Sequence, residues 1–151
     1  RKETAYIIGD ALRDVVKYGT ARGAKVLSRN DICGKTGSTN DHFDAWFSGF
    51  NQDSIVSVWV GFDNAKDLKM PGSKLALPIW IDYMRSTLLE ERPLMQPANI
   101  ISMRINRNTG QPAEAEDTNT MFELFIKGEE PERLESHQVQ KEHEIRENIF
   151  E

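Results

Sequence analysis

The sequence predicts an α+β arrangement, an antiparallel sheet flanked by helices. Three observations carry that expectation. A helical rhythm occupies the start of the chain, three short strand-like runs follow one another across short connections, and a second helical rhythm comes after them. Strands in direct succession joined by short loops make an antiparallel meander. Helices before and after such a sheet bury their apolar stripes by packing on it.

The first helix rests on Ile8, Ala11, Leu12, Val15 and Val16, which recur at spacings of three and four across residues 4–17. Thr4 is placed to cap it, and Gly19 and Gly23 to end it. Residues 19–30 are rich in glycine and charge and read as an irregular connection. The strand runs are Asp31–Thr39, Phe43–Phe50 and Ile55–Phe62, and the connection Asn51-Gln52-Asp53-Ser54 has hairpin length. The near-continuous apolar character of Ile55–Val60 predicts a strand buried on both faces. Trp46, Trp59 and Trp80 are expected in the core.

A polar loop, Asp63–Lys74, leads to the second helix at about 75–90, carried by Leu77, Trp80, Ile81, Met84 and Leu88. Pro78 fits there because it falls in the first turn. Pro93 and Pro97 mark a linker. Beyond it lie a strand at Ile100–Ile105, a turn signal at Asn108-Thr109-Gly110 and an apolar run at Met121–Ile126. The expected organisation is therefore a main body over residues 1–97, a small strand-rich appendage over 98–128 and an acidic tail over 129–151.

The 151 residues are 38% apolar and 28% charged, which suits about one domain with a real core. A single cysteine excludes an internal disulfide and cannot by itself hold a structural zinc. No apolar stretch approaches the roughly 18 residues of a membrane span. The net charge of −5 belongs to residues 129–151, which hold eight acidic and three basic side chains; the rest is balanced. The body therefore carries no basic field for nucleic acid. In the tail, Leu134, Val139, Ile145, Ile149 and Phe150 do not keep a helical rhythm, so the segment reads as solvated. His137 and His143 lie there without the cysteine or carboxylate framework that a metal needs. The chain starts Arg1-Lys2-Glu3, without methionine, and reads as a portion of a longer protein.

One stretch carries chemistry: Asp31-Ile-Cys-Gly-Lys-Thr-Gly-Ser-Thr-Asn40. A phosphate-cradling P-loop needs a glycine five positions before Gly34, where Arg29 stands, and a helix beginning at the lysine, where strand-like sequence follows. The alternative is the Lys-Thr-Gly strand of penicillin-recognising serine enzymes. Its surroundings favour that reading. GKTGSTNDHFDAWFSGF, then SVWVGFD, then Pro78-Ile79-Trp80 resemble the transpeptidase domain of the bifunctional, class A penicillin-binding proteins. The resemblance begins near Glu3, is most specific over Asp31–Asp63 and continues through Asn106–Gly110 towards Pro131.

The resemblance implies a β-lactamase/transpeptidase-like fold, here incomplete, lacking the N-terminal portion and the nucleophile lobe. It implies that Lys35 sets a cation beside the serine nucleophile. It implies that Thr36, Gly37, Ser38 and Thr39 bind substrate, with the hydroxyls of Thr36 and Ser38 directed at a terminal carboxylate. Gly37 would admit a close substrate backbone, and the backbone N–H of Ser38 would be one oxyanion-hole donor. The family more often has threonine where this chain has Ser38. Cys33 reads as a small buried filler, and Asp44 and Asp63 as structural carboxylates.

The family's nucleophile motif, Ser-x-x-Lys, is absent: no serine has lysine three positions on. Ser28-Arg-Asn30 and Ser38-Thr-Asn40 match the second motif, Ser-x-Asn, by chance, since both adjoin the Lys-Thr-Gly strand and the family's copy lies on a separate lobe. The expected function is thus part of a peptidoglycan D,D-transpeptidase that works through a serine acyl-enzyme and is acylated by β-lactams. This chain supplies the Lys-Thr-Gly strand and is inactive alone. Expected partners are the D-Ala-D-Ala stem peptide, β-lactams and the N-terminal portion of the same protein. No metal or organic cofactor is implied. The resemblance places the complete protein at a bacterial inner membrane with this part in the periplasm. Two alternatives compete. A serine β-lactamase shares the strand but ends sooner than the 114 residues that follow Gly37 here. A non-enzymatic cell-wall binding module would use the appendage and the tail.

Overall fold

The structure, a computed structural model, describes residues 1–133. It forms two compact units, one over Arg1–Gln96 and one from Pro97 on. The first holds helix α1 (Lys2–Lys17), a 3-10 turn (Arg22–Leu27), strands β1 (Cys33–Ser38), β2 (Asp44–Phe50) and β3 (Ile55–Gly61), and helix α2 (Ala76–Thr87). The strands form one antiparallel sheet in the order β1-β2-β3. Antiparallel sheet with helices is the architecture the sequence predicts.

The two faces of this sheet differ because side chains alternate along each strand. One face carries Phe47, opposite Thr36 on β1 and Val58 on β3. Here α2 packs, burying Ala76, Leu77, Trp80, Ile81 and Met84 in one cluster with Phe47. The Trp80 ring meets the Phe47 ring edge-on at 5.0 Å, and its indole N–H donates to the Val56 carbonyl at 3.2 Å. Val16, Ala21, Ala24 and Ile32 complete the cluster. Gly49 is required beneath Trp80, since an added Cβ would stand 2.7 Å from that ring.

The other face contradicts two expectations. β3 is not buried on both sides: Ile55 is 82% exposed, while Val56, Val58 and Val60 pack against the core on the α2 side. Trp80 is core, as expected, but Trp46 and Trp59 are each 44% exposed. Opposed across β2 and β3, these two rings sit 6.3 Å apart, and the Trp59 indole donates to Asp44 at 2.8 Å. An exposed tryptophan pair satisfied by a neighbouring carboxylate needs no core to hold it. Smaller differences concern helix ends. α1 starts at Lys2, so Thr4 lies inside its first turn, and α2 ends at Thr87.

The entry into β1 is held by a buried ion pair. Asp31 is 1% exposed. Arg29 donates to both its oxygens, at 2.9 and 2.7 Å, and the Arg92 amide adds a third bond at 3.0 Å. The Arg29 guanidinium also reaches the carbonyls of Leu89 and Glu90. The residues after α2 are thereby fastened to the start of β1. Burial pushes the Asp31 carboxyl up, but the Arg29 and Arg92 hydrogen bonds and the Arg29 charge outweigh it and hold the group below its ordinary value.

The second unit is a two-stranded antiparallel sheet of β4 (Ile100–Asn106) and β5 (Thr120–Ile126). Its long connection is organised by Arg104, which donates to the Glu114 and Asp117 carbonyls and to Thr120. No helix among the described residues is long and apolar enough to cross a membrane. Most of the acidic tail, with His137 and His143, lies outside the described residues.

Candidate functional site

Among the described residues, β1 is the terminal strand of its sheet, paired on one side only. Lys35 therefore lies inside a strand and not at the start of a helix, which is incompatible with a P-loop. Which backbone groups face outward follows from the ladder. Beyond β1, the Thr39 N–H donates to the Asp44 carbonyl, its direct partner in register, at 3.2 Å. Hydrogen-bonded and non-bonded pairs alternate along an antiparallel ladder. Gly37 and Lys35 thus turn their backbone groups to β2, and Ser38, Thr36 and Gly34 turn theirs to the unpaired edge.

The side chains of the motif are distributed around this edge. Lys35 is exposed, stands opposite Ser48 on the face away from α2, and donates from Nζ to the Thr36 carbonyl at 3.0 Å. That carbonyl belongs to the outward-facing set, so the ammonium satisfies an acceptor that has no neighbouring strand. On the α2 side, the Thr36 and Thr20 hydroxyls share a hydrogen bond of 2.8 Å. The Ser38 hydroxyl accepts from the Gly72 N–H at 3.0 Å and keeps its own hydrogen to donate.

Gly72 packs against the strand pair so closely that an added Cβ would lie 2.3 Å from the Trp46 carbonyl oxygen and 2.6 Å from that of Gly37. Thr39 closes the β1–β2 turn: its hydroxyl accepts from the Phe43 and Asp44 N–H groups at 2.9 and 3.0 Å. At the opposite end of β1, Cys33 is fully buried, and burial raises its thiol to about 11, which fits a filler and not a nucleophile.

The motif is thus one wall, with a cation, outward amides and hydroxyls along one edge. The chain as a whole is similar to known proteins. Penicillin-binding protein 1A of Pseudomonas aeruginosa is 45% identical over 133 residues, which cover 85% of this chain and 16% of that protein. The protein of the same name from Neisseria flavescens is 41% identical over 126 residues, 81% of this chain and 15% of that protein. The crystal structure of penicillin-binding protein 1A from Haemophilus influenzae matches with a TM-score of 0.78 at 33% identity, covering 88% of this chain and 21% of that one.

The chain is homologous to part of penicillin-binding protein 1A.

No family model matches it. The chain spans only 16% of the Pseudomonas protein, so the homology concerns a portion of that molecule. The α+β fold with antiparallel sheets agrees with the Haemophilus neighbour.

Two residues that shape this wall escape sequence reasoning. Thr20 sits in the connection before β1, 16 positions from the hydroxyl it meets. Gly72 sits in a polar loop, 34 positions from Ser38. Neither spacing follows a periodicity. The only signal at Gly72 is its place in Pro71-Gly72, which marks a turn without saying what it touches. The Asp31–Arg29 pair, two positions apart, was legible as opposite charges but not as a buried clamp.

Proposed function

We propose that this chain is the Lys-Thr-Gly portion of a peptidoglycan D,D-transpeptidase, a penicillin-binding protein whose serine nucleophile lies outside these residues. The observation that carries the reading is the unpaired edge of β1, which turns the backbone amide of Ser38 outward beside the hydroxyls of Thr36 and Ser38. An extended peptide added along such an edge gains main-chain hydrogen bonds. Homology to penicillin-binding protein 1A over most of the chain supports the same class.

In this reading the serine oxygen attacks the carbonyl carbon of the penultimate D-alanine. The carbonyl oxygen takes up negative charge and accepts hydrogen bonds donated by the Ser38 N–H and the nucleophile's own N–H. Collapse breaks the peptide bond and releases D-alanine with a proton. The amine of a second stem peptide then attacks the serine ester, forming the cross-link and freeing the serine. One oxyanion donor contributes about 3 kcal/mol to such a step. The Lys35 ammonium favours deprotonated hydroxyls beside it and so holds the proton relay in order. Gly37 would admit the substrate backbone close to the strand, and Thr39, which closes the β1–β2 turn, would lie at the end of the substrate-binding stretch. A β-lactam would be attacked in place of the peptide. The exposed Trp46, Trp59 and Ile55 share one sheet face, which the N-terminal portion of the same protein would cover. The site would work on the periplasmic side of a bacterial inner membrane.

The test is labelling by fluorescent penicillin. The longer protein, carrying the upstream segment, should be labelled and lose labelling with Lys35→Ala. The 151-residue chain alone should remain unlabelled. Labelling of the isolated chain, or undiminished labelling of the variant, would contradict the assignment.

A further inference from the structure

Beside β1 an open pocket of about 370 Å³ lies between the segment after α1 and the residues just before α2. Thr20, Arg22, Gly23, Ser73, Lys74 and Leu77 line it. Two cations and two hydroxyls therefore face one cavity, and among the described residues no carboxylate lines it. Among the described residues, neither Arg22 nor Lys74 forms an ion pair or a side-chain hydrogen bond. Elsewhere in the same unit, Arg13, Arg29, Arg85 and Arg92 are all matched with aspartates. The pocket is also joined to the motif strand, because Thr20 shares its hydroxyl hydrogen bond with Thr36 at 2.8 Å.

We propose that this pocket binds a carboxylate, and that it is a second anion subsite separate from the hydroxyls and amides of β1. Arg22 offers a planar fork that matches two carboxylate oxygens, Lys74 adds a second positive charge, and the Ser73 hydroxyl supplies a further donor. Two uncompensated cations with a hydroxyl donor suit an anionic group better than a neutral amide. The ligand class rests on the transpeptidase reading in one respect. A peptide laid along the outer edge of β1 would pass Thr36, whose hydroxyl meets Thr20 at the pocket, so an acidic side chain of that peptide is the carboxylate proposed to reach it. The carboxylate bound here is therefore a side-chain carboxylate of the donor peptide, not the terminal one assigned to Thr36 and Ser38.

The experiment is an NMR titration of the ¹⁵N-labelled 151-residue chain with acetate, acetamide and inorganic phosphate in separate arms. Acetate should give saturable shifts at the amides of Thr20, Arg22, Gly23, Ser73 and Lys74. Acetamide should give none, and phosphate should bind no more tightly than acetate. Arg22→Gln and Lys74→Gln should each weaken acetate about tenfold, the loss of one charge-assisted contact. Both side chains are exposed, so unchanged amide positions elsewhere will show that the variants fold. Unsaturable acetate shifts, equal shifts with acetamide, or variants that bind as well as the parent would overturn the site. Phosphate binding ten times tighter would overturn its ligand class. Failure of the transpeptidase reading appears instead as absent penicillin labelling and leaves this titration unchanged.

Discussion

Replacing Asp31 by asparagine tests how the motif strand is anchored. The substitution keeps shape and removes charge. Asp31 has no exposed side-chain surface, and the Arg29 side chain is only 12% exposed, so the lost attraction is poorly replaced by water. Breaking a buried pair by changing one partner costs about 3–5 kcal/mol. The lower figure applies here, because Arg29 retains the Leu89 and Glu90 carbonyls as acceptors. A loss of about 3 kcal/mol in a chain of this size lowers the melting temperature by roughly 6–12 °C. The pH dependence has a definite sign. The Asp31 carboxyl is held below its ordinary value in the folded state, so its contribution is fully present above an unfolded value of about 4. It is lost as pH falls through the depressed folded value. Urea denaturation at a series of pH values should show parent and variant well separated at pH 7 and converging only below about pH 4. A separation under 1 kcal/mol at neutral pH, or one unchanged down to full protonation, would refute the clamp. Hydrogen exchange supplies a local readout: the β1 amides should lose protection first in the variant.

Three further outcomes follow from contacts in the same unit. Gly72→Ala places a methyl 2.3 Å from the Trp46 carbonyl oxygen, so the loop must lift; a loss of about 1–3 kcal/mol by thermal denaturation is expected, with weaker penicillin labelling of the longer protein as the Ser38 contact opens. Trp80→Ala removes the largest buried side chain and its bond to the Val56 carbonyl, which costs about 3–5 kcal/mol in a urea titration. Cys33, fully buried with its thiol raised to about 11, should resist a disulfide reagent at pH 8 in the folded chain and react at once in denaturant.

The fold was legible where periodicity and burial agree. Residues of α2 repeat at three and four because that helix has one covered side, and β2 alternates strictly, burying Ala45, Phe47 and Gly49. In α1 the helix is where the rhythm puts it, but of its apolar stripe only Val16 is buried and Ile8 is 55% exposed. It was illegible where apolar composition says nothing about cover. Ile55, Trp46 and Trp59 look like core in sequence, yet they occupy the sheet face that α2 leaves open. Hydrophobicity reports what a face is fit to bury and not whether these residues bury it. The strand that carries Lys35 to Ser38 was legible as a strand because the run is local and contiguous. Its supports were not, since Thr20, Gly72 and Arg92 come from three separate loops whose approach no spacing encodes.

An edge strand is ordinarily a hazard, since its free amides and carbonyls can recruit another chain. β1 answers that hazard in a way that leaves its outward amide at Ser38 usable. The Lys35 ammonium covers the Thr36 carbonyl, an acceptor, and leaves the neighbouring donors alone. The Asp31 pair fixes one end of the strand, the Thr39 turn fixes the other, and Gly72 presses on the segment between. Three separate restraints therefore act on this six-residue strand. They are what a donor array needs if it is to hold its geometry before a ligand arrives, because a donor that must reorganise during the reaction stabilises developing charge less. In the proposed function, loosening the Gly72 contact should impair acylation of the longer protein as well as lower stability. Gly72→Ala does so, since the backbone atoms it displaces belong to Gly37 and Trp46, the pair directly beside Ser38.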